Sequence, residues 1–505
     1  MNFANTIDAE RPWPAPASSA ETHEPPAPSA LPLVLDLDGT LLRTDLLDET
    51  FMAVLRRDPL SLPRLAGAAW RGRAALKQEL AARAEIDLDT VPIDDRVAAF
   101  ATEAKAEGRA VYLATAADAA IARRIAARFP FVDGVIASDG ETNLKGETKA
   151  KALAARFPEG FIYAGDCSAD LAVLRAAKGS VIVSAAPRVA AAARAIREPV
   201  VCFERERPSL RLYARALRLH QWAKNALLFV PLVLGGKALD AGAWSACALG
   251  FLALGLLASS TYLLNDLWDL PDDRRHWSKR ERPLASGRLP IRTALLLAPL
   301  GVGASLCLGA FLGPAALGLL GLYLALTLAY SFRLKREPIL DGFTLAVLFT
   351  LRIGLGIALA GTMLSPWLLT FSLFLFTSLS FAKRYPEVER MVRHGRDRTP
   401  GRGYRASDGP LLLAFGSAAG IAAVLVMVLY LIHDAMPASF YGAPAYLWAF
   451  PAVLFLWIGR VWLLCGRGEL NDDPVAFALK DRVSLGLGAI MGAAFLAATF
   501  GGGVA

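Results

Sequence analysis

Two hydrophobic patterns divide the chain. Up to about Leu210, short apolar runs alternate with charged, Ala/Arg-rich stretches. Leu33–Leu35 reads as a buried strand, and further runs follow at Ala110–Ala114, Gly134–Ile136, Phe161–Tyr163 and Val181–Val183. Helical segments fall between them, at about 94–107, 118–128, 146–156, 168–177 and 187–197. This alternation predicts an α/β doubly wound parallel sheet with its ligand site at the C-terminal strand ends. Beyond Leu210, uninterrupted apolar stretches of roughly 20 residues recur, each long enough to cross a bilayer. They lie at about 223–236, 242–264, 291–311, 314–332, 340–361, 366–382, 410–433, 445–464 and 483–502, the first being short. The second half is therefore expected to be an all-α polytopic bundle of about nine transmembrane helices.

Charge placement gives that bundle an orientation. The net charge is +8, and Lys/Arg cluster in Arg274–Arg288, Arg333–Arg336, Lys383–Arg405 and Arg460–Arg467. The alternate loops hold only Lys237. The positive-inside rule then places the basic loops and the N-terminal half in the cytoplasm, with the bundle in a bacterial-type inner (plasma) membrane. Nine spans leave the C-terminus outside. No nucleic-acid partner is expected, and the oligomeric state is open. The five cysteines are scattered without CxxC spacing, as suits reduced packing residues. Residues 1–30, rich in Pro and Ala, lack the apolar core of a signal peptide and read as a disordered tail.

The polar residues at the expected strand ends carry chemistry. Asp36 and Asp38 follow the first strand in "LVLDLDGT", Thr115 ends "VYLAT", Lys145 lies in "NLKGETK", and Asp166 and Asp170 lie in "GDCSAD". Together and in this order they resemble the haloacid dehalogenase (HAD) phosphatase superfamily, over roughly residues 31–200. The resemblance implies Mg²⁺ held by Asp36, Asp166 and Asp170. A phosphate ester repels a carboxylate nucleophile, and a bound cation cancels that repulsion. Asp36 would attack and form an aspartyl-phosphate, and Asp38 would act as acid and then base. Thr115 and Lys145 would hold the phosphoryl oxygens, with Lys149 a rival for the lysine role. The domain would run over 31–205, with a helical cap inserted at about 46–93. The cap's basic residues, Arg56, Arg57, Arg64, Arg71, Arg73 and Lys77, read as a solvated face, or more sharply as a contact with anionic lipid headgroups.

In the second half, Asp266, Asp269 and Asp273 would lie within about 60° of one another on a helix, forming an acidic stripe at a membrane mouth. Oxygen-only clustering favours magnesium, which keeps phosphate oxygens among its ligands. Arg274, Arg275, Lys279 and Arg282 suit the remaining charges of a diphosphate. Pro271 can end the helix, in which case Asp272 takes the place of Asp273. The stretch "NDLWDLPDDRRHWSKRERPLASG" resembles the first motif of the UbiA-type prenyltransferase superfamily, and the resemblance extends over about 212–502, within a domain of 206–505. That superfamily consists of intramembrane bundles using magnesium on prenyl-linked substrates. The second motif, "YSFRLKREPILDGF", offers one carboxylate, Asp341. "LRLHQWAKNALLF", "LRIGLG", "FAKRYPEVE" and "NDDPVAFALKDR" are similar to decaprenyl-phosphate phosphoribosyltransferases.

That branch implies a polyprenyl phosphate acceptor and a phosphoribosyl diphosphate donor. Asp266, Asp269 and Asp273 would hold the magnesium diphosphate. Asn265, Lys224, Lys279, Arg282, Lys335 and Arg352 would bind substrate, and Asp341 could orient the ribose. Lys224 and Arg218 can alternatively be interfacial anchors, Trp222 reads as a belt aromatic, and Lys383, Arg384 and Glu387 as a juxtamembrane ion-pair set. The phosphatase-like half would then remove the 5-phosphate of the product, its local concentration raised by tethering. Two alternatives stand: transfer of a polyprenyl group from its diphosphate to an aromatic acceptor, and a transporter or scaffold with a regulatory HAD-like domain.

Overall fold

A computed structural model describes residues 31–505 apart from 139–141, 205–208, 396, 398–401, 471–473, 479 and 502–505. The expected tail at 1–30 and the first three residues of "NDDPVAFALKDR" lie outside the described residues. The chain forms two compact units: residues up to 42 with 71–81 and 93–205, and residues 43–70 with 82–92 and 206–505. The expected cap is thus divided, and most of it belongs to the membrane unit.

The first unit is a six-stranded parallel sheet: β1 (Leu33–Leu35), β2 (Val111–Asp118), β3 (Gly134–Ser138), β4 (Ile162–Gly165), β5 (Gly179–Val183) and β6 (Val201–Phe203). Their order is β3-β2-β1-β4-β5-β6. β1 is central, pairing Leu33 with Val111 on one side and with Ile162 on the other. Its three residues are fully buried, which is why they read as a continuous apolar run. Strand order reverses between β1 and β4, the topological switch point where doubly wound sheets bind ligands. The helices Asp95–Ala106, Ala119–Ala126, Glu147–Arg156, Asp170–Ala176 and Pro187–Ile196 lie close to the expected positions. β6 was not foreseen: "VCF" is only three residues and partly exposed.

In the second unit, eight helices are long and apolar enough to cross a membrane, among the described residues: Ala241–Trp268, Ile291–Leu312, Pro314–Phe332, Leu340–Ala360, Pro366–Arg393, Ala406–Ala435, Pro444–Gly466 and Arg482–Phe500. Their starts follow capping chemistry. Asp240, Ser365 and Asp481 accept from backbone amides of the first turn, and Pro314 and Pro366 occupy the first helical position.

The first expected span is a correction, because it is not a continuous α-helix. Leu219–Phe229 winds as a 3₁₀-helix and passes into the short α-helix Val230–Leu234. Three residues per turn put Trp222, Asn225 and Leu228 in one line. All three face neighbours that hold this register. A Cβ on Gly255 would lie 2.7 Å from the Trp222 ring, and one on Gly356 would lie 2.0 Å from the Leu228 carbonyl oxygen. Asn225 accepts from Arg352 at 3.0 Å. Close approach through small residues is how membrane helices pack without a hydrophobic driving force. Trp222 is likewise no belt aromatic: its indole N–H donates to Ser259 at 2.9 Å.

Candidate functional site

In the α/β unit, Asp36 is the first residue after β1 and is 7% exposed. Gly39 turns the chain with φ +77°, and a Cβ there would lie 2.3 Å from Asp166 Oδ2. Only glycine lets the first and last motifs abut this closely. Thr115, at the fifth position of β2, is fully buried, and its hydroxyl accepts from the Ala117 amide at 3.0 Å. Asp38 is half-buried.

The lysine expectation is corrected. Lys149 is buried and donates to Asp36 Oδ1 at 2.9 Å, whereas Lys145 is exposed. Lys145 lies in the loop before Gly146, whose φ of +59° starts the helix Glu147–Arg156. Lys149 lies in that helix's first turn, buried with Ala150 and Leu153 on its inner face. Lys149 also donates to the Tyr163 hydroxyl at 3.0 Å, and that hydroxyl donates to Asp170 at 2.7 Å. Asp36, Lys149, Tyr163 and Asp170 thus form one buried network. Sequence reasoning missed Tyr163 as a member of this network, and its signal was a phenol in a largely buried strand, which needs a polar partner.

Asp170 also orders its own loop. Its Oδ2 accepts from the amides of Asp166 and Cys167 at 3.2 and 3.1 Å, fixing the loop that presents Asp166. Burial pushes Asp36 up to about 6 although the Lys149 ammonium opposes it. Burial lowers Lys149, but Asp36 and Asp170 outweigh it and the ammonium is held above its usual range. Burial, then Asp170 and Asp166, push the Cys167 thiol up to about 12, so it stays protonated and donates to Asp170. The ligand atoms of Asp166, Cys167 and Asp170 lie within 4.8 Å of one another. With the thiol protonated, the remaining carboxylates and the burial-strained Asp36 fit a hard divalent cation such as Mg²⁺.

In the membrane unit the acidic stripe continues past Pro271. The Asp269 amide donates to the Asn265 carbonyl and the Asp273 amide to the Asp269 carbonyl, both at 2.8 Å. Pro271 sits in the first turn of the short helix Leu270–Arg275, where a missing N–H costs little. Asp273 is 1% exposed and Asp272 is exposed, so Asp273 is the third residue of the stripe.

Each stripe carboxylate meets a cation. Asp266 accepts from Arg218 and Arg282, Asp273 Oδ2 from Arg282, and Asp269 from Lys335 at 2.8 and 2.7 Å. Lys279 Nζ lies 3.9 Å from Asp273 Oδ1, a buried oxygen without a hydrogen-bond partner. Burial raises Asp273 against the pull of Arg282, and burial lowers Lys279. An oxygen-only set with one orphaned buried oxygen, beside four cations, fits magnesium and a phosphate oxyanion. Asn265, half-buried, tops the turn before Asp269. Interfacial anchoring is one reading of Arg218 from the sequence. Instead it adopts φ +50°, unusual for a non-glycine residue, and lays its guanidinium over Tyr262 at 4.6 Å while reaching Asp266.

Asp341 is not open to a ribose. It is fully buried and accepts from Tyr330 at 2.8 Å, from Arg402 at 3.2 Å and from Arg384. Arg384 also pairs with Glu387 at 3.1 Å, as the ion-pair reading expected. Arg402, which closes this cluster, had no signal in the sequence beyond membership of a basic run.

Arg352 lies inside a span, 5% exposed. Its partners are the Asn225 side chain, the Leu348 carbonyl and the Tyr323 hydroxyl, none of them charged. Lys224 and Arg352 lie 5.7 and 5.1 Å from the centroid of the same ring, Phe349. Ala226 and Ile353, two residues after Lys224 and one after Arg352, line an apolar cavity of about 470 Å³ that also reaches Ser372, Phe376, Met427 and Tyr430.

Eight apolar helices among the described residues define a multi-pass membrane protein, with carboxylates and cations clustered at one helix end. A family model described as the UbiA prenyltransferase family matches residues 228–498. The chain belongs to this family. It is 40% identical over 474 residues to protein y4nM of Sinorhizobium fredii, covering 93% of this chain and 91% of that protein. It is 36% identical over 185 residues to the decaprenyl-phosphate phosphoribosyltransferase of Corynebacterium glutamicum, covering 36% of this chain and 56% of that protein. A UbiA homologue from Archaeoglobus fulgidus, solved bound to DMAPP and Mg²⁺, is 18% identical, with a TM-score of 0.43 over 56% of this chain and 96% of that one.

Proposed function

We propose that the membrane unit transfers a phosphoribosyl group from phosphoribosyl diphosphate to a polyprenyl phosphate, and that the α/β unit removes the 5-phosphate from the product. The observation that carries the first part is the enclosure of Asp341 by Arg384, Arg402 and Tyr330. Among the described residues this leaves the stripe, one carboxylate cluster ringed by four cations, for the donor's diphosphate, a charge balance that suits phosphoribosyl diphosphate. The name borne by the Corynebacterium relative supports the same donor and acceptor.

In this reading Asp266, Asp269 and Asp273 would hold Mg²⁺, which when bound would supply the positive charge that neutralises a diphosphate leaving group. Lys279, Arg282 and Lys335 take its remaining charge, and Lys224 and Arg352 hold the lipid phosphate. The polyprenyl chain lies in the apolar cavity beside them. A phosphate oxygen of the lipid attacks the anomeric carbon, the bond from that carbon to the diphosphate oxygen breaks, and pyrophosphate departs. In the phosphatase step Asp36 attacks phosphorus, the bond to the ribose oxygen breaks as Asp38 protonates that oxygen, and water deprotonated by Asp38 then cleaves the aspartyl-phosphate to release inorganic phosphate. Thr115 and Lys149 steady the phosphoryl group. In this reading the basic loops face the cytoplasm, the side from which phosphoribosyl diphosphate, the soluble donor, arrives.

The test incubates the full chain in lipid nanodiscs with phosphoribosyl diphosphate and polyprenyl phosphate, with and without Mg²⁺, and follows lipids by mass spectrometry. Magnesium-dependent polyprenyl-phosphoribose lacking the 5-phosphate is expected. Pyrophosphate release from polyprenyl diphosphate and an aromatic acceptor instead would replace this reading with prenyl transfer.

A further inference from the structure

The helix Leu46–Arg57 comes from the stretch read as a phosphatase cap, yet it is packed into the membrane unit. Glu49, on its first turn, is 2% exposed and receives both terminal nitrogens of Arg274, at 2.6 and 3.1 Å. Thr44 donates to the same carboxylate at 2.8 Å. The Arg274 side chain is itself 5% exposed and gives its Nε to the Ala285 carbonyl at 3.3 Å. Met52 shares a core with Leu263, Leu267, Leu270 and Leu284 around this pair. At the edge, Arg292 pairs with Asp45 and Asp48, and Arg275 with Asp87. A Cβ on Gly287, at φ +70°, would lie 2.8 Å from Arg43 Cβ, so backbone as well as side chains meet closely here.

Arg274 is the residue after Asp273, and both belong to the short helix Leu270–Arg275. Asp273 engages Arg282 and Arg274 engages Glu49, so with the Arg275–Asp87 pair at its exposed end three ion pairs fix that helix. We infer that Glu49 is a positioning residue for the acidic stripe: by clamping Arg274 it sets the place of Asp273 and keeps a buried guanidinium away from the stripe. The inference rests on the reading of Asp266 and Asp273 as the magnesium-diphosphate site. Its physical basis is that a buried guanidinium stripped of its counter-charge seeks another carboxylate. Arg56 feels Glu49, Arg274, Asp272 and Asp269 together, so Asp272 and the stripe's Asp269 are the carboxylates at hand. A piece of the N-terminal region is therefore part of the transferase.

The test titrates magnesium pyrophosphate into the purified full chain, with melting temperature followed in parallel. Glu49→Gln should weaken binding by about 10- to 100-fold, the usual effect of losing a group that orients a metal ligand. Glu49→Asp, which keeps the charge, should recover most of the affinity. Arg292→Gln, at the same interface but remote from Asp273 in sequence, should bind like the wild type. Wild-type binding by Glu49→Gln, whatever its melting temperature, overturns the inference, as does equal weakening by Arg292→Gln. If the wild type does not bind magnesium pyrophosphate, or Asp266→Asn binds as well as the wild type, the diphosphate reading of the stripe falls and the inference falls with it.

Discussion

The α/β unit and the membrane unit assemble their clusters of carboxylates and cations in opposite ways. In the α/β unit, one lysine, Lys149, serves two carboxylates and a phenol in a closed, buried network. In the membrane unit, three carboxylates from one helical run meet Arg218, Lys279, Arg282 and Lys335 from three separate stretches. The first site is gathered by a sheet, whose parallel strands deliver side chains from distant segments to one edge. The second is carried by two abutting helices in one continuous run of backbone hydrogen bonds, whose periodicity brings Asp266, Asp269 and Asp273 to one side, and the tertiary fold adds the cations and the Glu49–Arg274 clamp.

The sharpest way to break this comparison is to remove the nucleophile of the gathered site. Asp36→Asn should slow 5-phosphate removal by about 10⁴-fold or more, as loss of a nucleophile does in enzymes that act as a unit. Lipid mass spectrometry should show the 5-phosphorylated product accumulating while transfer continues, and unchanged dephosphorylation would reject the coupling of the two units. Next comes the stripe: Asp266→Asn should lower transfer by about 10³-fold, in the upper range for one preorganised electrostatic contact. Hydrolysis of a small phosphate ester by the same sample should not change. A loss of both activities would mean that the sites are not separable.

Smaller effects sharpen the lysine assignment. Lys149→Ala leaves Asp36 buried without its cation and should cost about 3 kcal/mol, read from denaturant unfolding of the α/β unit within the full chain. Lys145→Ala, at an exposed position, should stay within about 0.5 kcal/mol. The reverse ranking would return the lysine role to Lys145. Least of all, Trp222→Phe removes one hydrogen bond to Ser259 and should cost about 1 kcal/mol in thermal stability. No effect at all would mean that the 3₁₀ register is held by Asn225 and Leu228 alone.

Much of this was legible before any coordinates. Five of the six strands, the helices between them and eight long membrane helices follow from period and length. Burial on both faces makes a central strand read as a solid apolar run, and a bilayer demands about 20 apolar residues. The acidic stripe was legible because its residues are three and four apart in one helical run. Lys149 over Lys145 was not, because two lysines four residues apart share a pattern and only the turn at Gly146 tells them apart. Asp273 over Asp272 needed the backbone to show that Pro271 starts a helical turn without breaking the ladder.

The sequence by itself determined which segments are strands or spans and which side chains can do phosphate chemistry, since periodicity and residue type are local properties. Only the tertiary structure decided the partners: that Asp341 is spent on Arg384 and Arg402, that Arg218 leaves the interface for Asp266, and that Glu49 crosses 225 residues of chain to hold Arg274. Those pairings depend on where long-range folding excludes water, because a buried charge must find its counter-charge wherever the chain brings one, and no local pattern records that distance.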